Sequence, residues 1–522
     1  MGFPLMRIAL LSMMATVITA QNPENVVVWV HGLFGGQFDG FPYASEFSNR
    51  GFHNIIASVG PVSSNWDRAC ELYAQIKGTV VDYGVCHSRD AGHSRFGTDY
   101  TGQGFYPQWD ASQRIHFVGH SMGGQTIRML EILLQEGSGC PEDTNPLFTG
   151  SGNWMRSVTT LSSPHDGSTL VGLLGDGLIG FLKNLIVGFA GITDETIFEA
   201  LYNFKLDHWG ITKQPGESFN SFWNRLESSI LSNDNTDLAP FSVSEDGARK
   251  QNNLGRQTYP NTHYMSFATE RTRPERTCIF WVFCWDYEVA ENGMFFLLRV
   301  TAGLMGNSEV AVEKRKNDGV VHWESMKCPT SSSQGKDNCR RYNGNWQPNQ
   351  WNWIDVPYFD HMQVVTTNSW NDIFNYDRSA KKLYVDHAQR IISLNNGNLA
   401  NSFKEDYGLA GQVVDMSEYD QSSEINKWHK VSMASSVFMG LLVVGAVLLS
   451  ARKLRGRLRK EQETDSQEEF NELEMQGTVE SRGESIPSSI IGIRDPAVSA
   501  FASTKKSMDE GSEVSPKSMY DL

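Results

Sequence analysis

Apolar residues fall along this chain in short runs and in longer periods. Val26 to Val30 is a continuous apolar run, and Ile115 to Val118 is a second. Arg156 to Leu161 is a third, closed by Ser162, Ser163 and Pro164, and His263 to Ala268 is a fourth. Runs of this length without strict alternation suit strands buried on both faces. Gln125 to Gln135 carries a helical pattern directly after the second run. Apolar runs alternate with helical patterns from residue 21 to about residue 400, and the chain has no internal repeat. This alternation predicts an α/β fold: a mostly parallel central sheet with helices on both faces.

Other segments are apolar in a different way. From Ser168 to Leu201 the chain is dominated by Leu, Ile, Phe and Gly, broken by Asp176 and Lys183. Its glycines make it a poor spanning helix, so it reads as a core helix pair or as an apolar cover over a site. Val431 to Ser450 has no charged residue and would span about 30 Å as a helix, the thickness of a bilayer's hydrocarbon core. Arg452, Lys453, Arg455, Arg457, Arg459 and Lys460 follow it, a flank that the positive-inside rule places in the cytoplasm. At the other end, Arg7 precedes an apolar stretch from Ile8 to Thr19, and Ala20 offers a small residue for cleavage. That is the pattern of a secretory signal. The expected order is a signal over 1–20, a globular domain over 21–400 and a polar stalk over 401–430. A transmembrane helix over 431–450 and a disordered cytoplasmic tail over 451–522 complete it. Such a chain is expected to be a single-pass type I membrane protein with its globular part extracellular or lumenal.

The formal net charge of −15 is opposite in sign to the footprint of a nucleic-acid surface, so no nucleic-acid partner is expected. All seven cysteines lie before the stalk, in the part where disulfides can persist. Short loops favour Cys278–Cys284 and Cys328–Cys339. Cys70–Cys86 is a further pairing that spacing leaves open, which would make Cys140 the odd one out.

The strongest chemical motif is Gly119-His120-Ser121-Met122-Gly123-Gly124. It follows a predicted strand and precedes a predicted helix, the setting of a nucleophile elbow in the α/β-hydrolase fold. A turn that tight needs small residues two before and two after the serine. A serine hydroxyl is a weak nucleophile and needs a base oriented by a third group. In this fold the acid and then the histidine follow the serine. His165, His208, His263, His322, His361 and His387 all qualify by order. His361 is the favourite because it comes late in the globular part. Asp318 suits the acid, on an Asp-Gly turn before an apolar pair. Val30-His31-Gly32-Leu33-Phe34-Gly35-Gly36 suits the loop that supplies one backbone donor of an oxyanion hole, Leu33; Met122 supplies the other.

With these motifs in place, the chain resembles the secreted bacterial lipases of the thermoalkalophilic and staphylococcal group. The resemblance runs from about Val26 to Ile391. It is carried by Gly60 to Ala69, Val81 to Gly84, His93 to Gly97, Gly119 to Arg128, Ser163 to Leu170, Phe204 to Gly210, Gln214 to Phe219 and Ser266 to Thr272. It implies an α/β-hydrolase fold with zinc-binding and lid insertions. It places the nucleophile on Ser121, the acid on Asp318, the base on His361 and the oxyanion donors on Leu33 and Met122. It also implies a structural zinc ion on Asp67, His87, His93 and Asp207, two imidazoles and two carboxylates that suit tetrahedral Zn²⁺. The family carries a calcium ion near the catalytic histidine, but here Gln363 and Asn368 stand at carboxylate positions. The surviving backbone position at Gly293 cannot hold the ion alone, so calcium is not expected. The Ser168–Leu201 stretch corresponds to the family's lid.

The expectation is therefore a membrane-anchored serine carboxylic ester hydrolase, lipase-like, acting on a lipid or ester substrate. Its tail, ending in Met519-Tyr520-Asp521-Leu522, offers a site for cytoplasmic partners. Two other readings stand beside it: a non-catalytic adhesion or receptor ectodomain on the same fold, and thioester or amide cleavage by the same triad.

Overall fold

The apolar runs become strands because both sides of each are covered. The strands are β1 (Val26–Val30), β2 (His53–Ala57), β3 (Val80–Asp82), β4 (Phe96–Asp99), β5 (Ile115–His120) and β6 (Met155–Leu161). They continue with β7 (His263–Glu270), β8 (Thr272–Ile279), β9 (Phe283–Ala290), β10 (Cys339–Arg341) and β11 (Trp351–Pro357). Seven of them form one sheet in the order β10-β11-β7-β6-β5-β1-β2, and its pairings are parallel. This structure, a computed structural model, describes residues 22–397 apart from 34, 36–40, 182, 184–203, 232–234, 280–282, 331–337 and 367–378.

All five residues of β1 are buried, and successive side chains serve two cores. Val26, Val28 and Val30 join the core under the helices Asn65–Lys77 and Met122–Glu136. Val27 and Trp29 join a second core under the helix Ala380–Asn395. The two-residue period of a strand sends alternate side chains to opposite faces, and each buried Val or Leu contributes roughly 1.5–3 kcal/mol. Polar alternation would leave one face wet, which is why the runs are continuous. The doubly covered parallel sheet and the α/β-hydrolase fold class agree with the expectation.

Register then sets where the loops emerge. Val30 lies opposite Gly119, and His120 lies opposite Leu161. The C-terminal ends of β1, β5 and β6 are thus level, and their loops gather at one edge, where open parallel sheets form their sites. β3–β4 and β8–β9 are antiparallel hairpins outside this sheet.

Three disulfides are present: Cys278–Cys284, Cys328–Cys339 and Cys86–Cys140. The third corrects the open pairing of Cys70 with Cys86. Cys70 is free and buried inside the helix Asn65–Lys77, packed in the sheet core, while Cys140 reaches Cys86 across 54 residues of chain. Spacing favours near neighbours and carries no information on which way a helical cysteine faces.

The expected single-pass membrane placement is also corrected. Among the described residues no helix is long and apolar enough to cross a membrane. The longest of the described helices, Ala380–Asn395, has 16 residues, about 24 Å, and spends its apolar side on the sheet. The Val431 to Ser450 segment, the stalk, the tail and the signal segment lie outside the described residues. An anchor and cytoplasmic partners have no support among the described residues. Hydropathy measures avoidance of water, and does not say whether lipid or protein supplies the apolar surroundings. The lid stretch is described only in part: Thr169–Leu174 is helical, and 184–203 lie outside the described residues.

Peptide mapping without reduction should recover Cys86 linked to Cys140, with Cys70 alkylated only after unfolding. Cys140→Ser should lower stability by about 4 kcal/mol, the loop entropy of so long a closure, read by urea unfolding. Recovery of a Cys70–Cys86 peptide would refute the assignment.

Candidate active site

Ser121 is the hinge between β5 and the helix Met122–Glu136, at φ 53° and ψ −129°. A β-carbon disfavours that region, so the turn is held by its surroundings. A Cβ on Gly123 would lie 2.1 Å from Val30 O, and one on Gly119 would lie 2.5 Å from Gly124 N. No side chain fits at either position, which is the steric demand read from the motif.

The structure brings Ser121, His361 and Asp318 into one chain of hydrogen bonds. His361 follows β11 and places Nε2 2.9 Å from Ser121 Oγ, and its Nδ1 lies 2.8 Å from Asp318 Oδ2. Asp318 is fully buried. Its Oδ1 accepts the Val320 and Val321 amides at 3.0 and 2.8 Å, and Oδ2 also accepts the Thr269 hydroxyl at 2.9 Å. These donors fix the carboxylate's orientation. The His361 amide donates to Asp318 O at 3.0 Å, so the two loops are joined by backbone as well. His120 stands beside this relay with Nε2 2.9 Å from His361 O; burial, then the charge of His361, holds it well below the usual imidazole range. It is neutral at physiological pH.

The loop after β1 closes against the same serine. A Cβ on Gly32 would lie 2.7 Å from Ser121 Cβ, and Leu33 follows, half-buried. Met122 is fully buried at the start of its helix. His31 spans the loop's base: Nδ1 donates to Gly32 O at 2.8 Å, and Nε2 accepts the Val59 amide at 3.2 Å. Burial, reinforced by Arg68, lowers its pKa to about 3, which keeps this pattern of one donor and one acceptor.

Sequence reasoning gave Arg68 no role, yet it is fully buried beneath this loop. Its guanidinium donates to His31 O through Nη2, to Gly60 O at 2.8 Å and to the Thr126 hydroxyl at 2.8 Å. Thr126 Oγ1 is in turn 3.1 Å from Met122 O. One cation therefore ties the loop carrying Leu33 to the helix that begins at Met122. A second guanidinium acts behind His361. Arg271 donates to Tyr358 O at 2.8 Å, to Asn292 O at 3.0 Å and to Gln363 Oε1. Gln363 also donates to Gly293 O at 3.2 Å. Of the positions weighed for calcium, Gln363 is thus bonded both to Arg271 and to Gly293 O; Asn368 lies outside the described residues.

About Asp67, the residue before Arg68 in the helix Asn65–Lys77, four side chains form a group that could hold a metal ion. Ligand atoms of Asp67, His87, His93 and Asp237 all lie within 4.8 Å of one another. His87 Nε2 is 3.0 Å from Asp67 Oδ1 and 3.3 Å from Asp237 Oδ1. His93 Nε2 and Asp237 Oδ2 are 3.2 Å apart and buried, yet neither makes a hydrogen bond. His93 Nδ1 engages Ser94 O at 2.9 Å, which leaves Nε2 as the nitrogen that could take an ion. Two imidazoles and two carboxylates with orphaned atoms turned toward each other fit a tetrahedral divalent ion.

The fourth member of the cluster is Asp237 where the expectation had Asp207. Asp207 is exposed and outside the cluster. Its neighbour His208 faces inward instead, with Nε2 3.0 Å from Asp67 Oδ2 and Nδ1 3.3 Å from Tyr83 Oη. Burial alone would raise the Asp67 pKa, but hydrogen bonds from His208 and His87 hold its carboxyl well below the usual range. Asp237 reaches the cluster because an isolated bridge pairs Ser63 with Leu238, and the Ala239 amide donates to Val62 O at 2.9 Å. That pairing lays Asp237 beside the start of the helix Asn65–Lys77. No spacing rule singles it out among 60 carboxylates.

Comparison with known proteins finds lipase-like relatives in both sequence and structure. A family model described as lipase-like, C-terminal domain, matches residues 16–392. A lipase of Staphylococcus epidermidis is 33% identical over 340 residues, covering 62% of this chain and 45% of its own length. The chain thus spans less than half of the curated relatives it matches. Among solved structures, EstA from Clostridium botulinum is 34% identical with a TM-score of 0.60, covering 73% of this chain and 89% of that one. Staphylococcus hyicus lipase is 26% identical with a TM-score of 0.56, covering 73% and 97%.

Arg68→Met should leave the acceptors His31 O and Gly60 O without their buried donor. Each orphaned buried group costs about 1–3 kcal/mol, so chemical unfolding should show a loss of roughly 3–5 kcal/mol. A loss under about 1 kcal/mol would refute the role given to this cation.

Proposed function

This chain belongs to the lipase-like C-terminal domain family, of staphylococcal type, and on that premise we propose that it is a serine carboxylic ester hydrolase acting on lipid esters. The observation that carries this is the relay from Ser121 Oγ through His361 to Asp318. Ser121 attacks the ester carbonyl carbon, and His361 Nε2 takes its proton. Asp318 keeps Nδ1 protonated and stabilises the imidazolium. The Leu33 and Met122 amides receive the oxyanion, and such a donor contributes about 3 kcal/mol to the transition state. Collapse expels the alcohol, which takes its proton from His361. Water, activated by the same ring, then hydrolyses the acyl-enzyme.

The reading includes a zinc ion held by Asp67, His87, His93 and Asp237. When bound, it supplies a cross-link of opposite charges, with four protein ligands and no open position for substrate. It would join the segment His87–His93 and the distant Asp237 to the helix that carries Arg68. That places its effect on the donor loop, at one remove from the chemistry.

Hydrolysis of short- and long-chain p-nitrophenyl esters by the full chain tests the reading. Ser121→Ala should lose activity by about 10⁴-fold or more, and Asp318→Asn by about 10⁴-fold through the wrong tautomer. A folded wild-type chain without activity or labelling by a fluorophosphonate would defeat it. For the metal, Asp237→Ala should weaken Co²⁺ binding, read by visible absorption, by about 100-fold or more. Asp207→Asn should leave it unchanged; the reverse pattern would restore Asp207 as the ligand.

A further inference from the structure

The β8–β9 hairpin grows from the catalytic end of the sheet. β7 ends at Glu270 and β8 begins at Thr272. The Arg271 amide donates to Asn317 O at 3.0 Å, and the Asn317 amide donates to Thr272 Oγ1 at 3.2 Å. The hairpin's base is thus fixed to the residue before Asp318. From Thr272 opposite Ala290 to Ile279 opposite Phe283, the ladder carries its end about 20 Å from that base.

Character changes along this length. Near the base, Tyr287 to Ala290 are half-buried, and the Glu288 amide donates to Gly306 O at 2.8 Å beside the helix Phe296–Met305. Farther out, Phe283 to Asp286 are all exposed. Arg276 pairs in two-pronged fashion with Asp286 at 2.6 and 2.8 Å, and Arg273 pairs with Glu275. Beyond these ion pairs Cys278 is bonded to Cys284, directly opposite it in the ladder. Ile279 is 49% exposed, Phe283 69% and Trp285 39%.

A two-stranded ribbon without packing is marginal in water, and the disulfide is what holds this outer end in shape. It holds three large apolar side chains away from the protein's cores, where water makes their exposure unfavourable. Segregation along the axis, ions below and rings above, matches a lipid–water boundary. There Trp and Phe leave water while charges stay in it. Both arginines of the ribbon are matched by carboxylates, so it carries no unbalanced basic charge for anionic headgroups. That balance points to a neutral lipid surface.

We propose that the outer end of the β8–β9 hairpin docks the protein on the surface of neutral ester-lipid droplets and holds the Ser121 site against it. The proposal rests on the ester-hydrolase reading of that site.

The test uses the full chain carrying Ser121→Ala, with and without Ile279→Ser, Phe283→Ser and Trp285→Ser. Flotation with a trioleoylglycerol emulsion is measured, together with hydrogen–deuterium exchange across residues 272–290. The parent should float, its outer hairpin amides should gain protection on droplets, and the triple substitution should reduce partition at least tenfold. With Ser121 restored, the same three substitutions should leave hydrolysis of soluble p-nitrophenyl acetate within twofold and slow hydrolysis of the emulsion at least tenfold. Equal flotation of parent and variant overturns the proposal, as does exchange that droplets leave unchanged. Protection that depends on protein concentration without lipid overturns it in favour of a second copy of the chain. Flotation with outer-end protection but no soluble-ester hydrolysis sinks the hydrolase reading and leaves docking standing. Soluble-ester hydrolysis without flotation does the opposite.

Discussion

Backbone contact around Ser121 is the constraint to which the neighbouring structure answers. β5 must turn into a helix within one residue, and that helix must start against the end of β1. Val30 O leaves no room for a β-carbon at Gly123, and Ser121 itself leaves none at Gly32. Two loops and a helix end are thereby pressed into one small volume. The strained φ and ψ of Ser121 survive because β1 and β6 fix the strand on both sides, the Ser121 amide donating to Leu161 O at 2.8 Å. Strain of this kind persists only where the surroundings over-determine it.

The helix Asn65–Lys77 provides much of that surrounding rigidity. Twelve of its thirteen residues, Asn65 to Ile76, are buried, polar ones included. One side of it packs the sheet core through Ala69, Leu72, Tyr73 and Ile76. Its polar residues satisfy neighbours instead of facing water: Arg68 the His31 carbonyl in the loop after β1, Glu71 the Gly60 amide at 2.5 Å, Gln75 the Ser58 backbone at 2.7 Å. Burial raises the Glu71 pKa, opposed by Lys205. A helix buried on all sides cannot be amphipathic in the ordinary way, and its polar positions mark where it holds other chain segments. Asp67 and Arg68 are consecutive, so the cluster about Asp67 and the loop after β1 share one rigid support.

On the other side of the serine, Asp318 and His361 come from separate loops at the same sheet edge. Backbone bonds between them, the Arg271 guanidinium and the Gln363 amide replace what a single rigid element would have provided. Asp360 contributes from within, accepting the amides of Phe295 at 2.7 Å and of Met362 and Gln363 at 3.1 Å. Loops with this many internal bonds behave as fixed structure, which the 2.8–2.9 Å spacing of the relay requires.

The sequence by itself determined the parts whose physics is local. Continuous apolar runs placed β1, β5, β6 and β7, and the glycines about Ser121 announced a turn that admits no side chain. Triad order along the chain, with the family resemblance, pointed to Asp318 and His361, which the structure joins with Ser121 in one chain of hydrogen bonds. Tertiary structure alone decided what depends on distant segments meeting. Asp237, not Asp207, lies with Asp67, His87 and His93 because a bridge at Ser63 and Leu238 carries it there. Cys140, not Cys70, meets Cys86 because Cys70 faces the core of the sheet. Arg68 and Arg271 gained their roles only when carbonyls from several loops converged on them. A residue's neighbours along the chain fix its conformational preference, while its partners across space follow from how the sheet and helices pack.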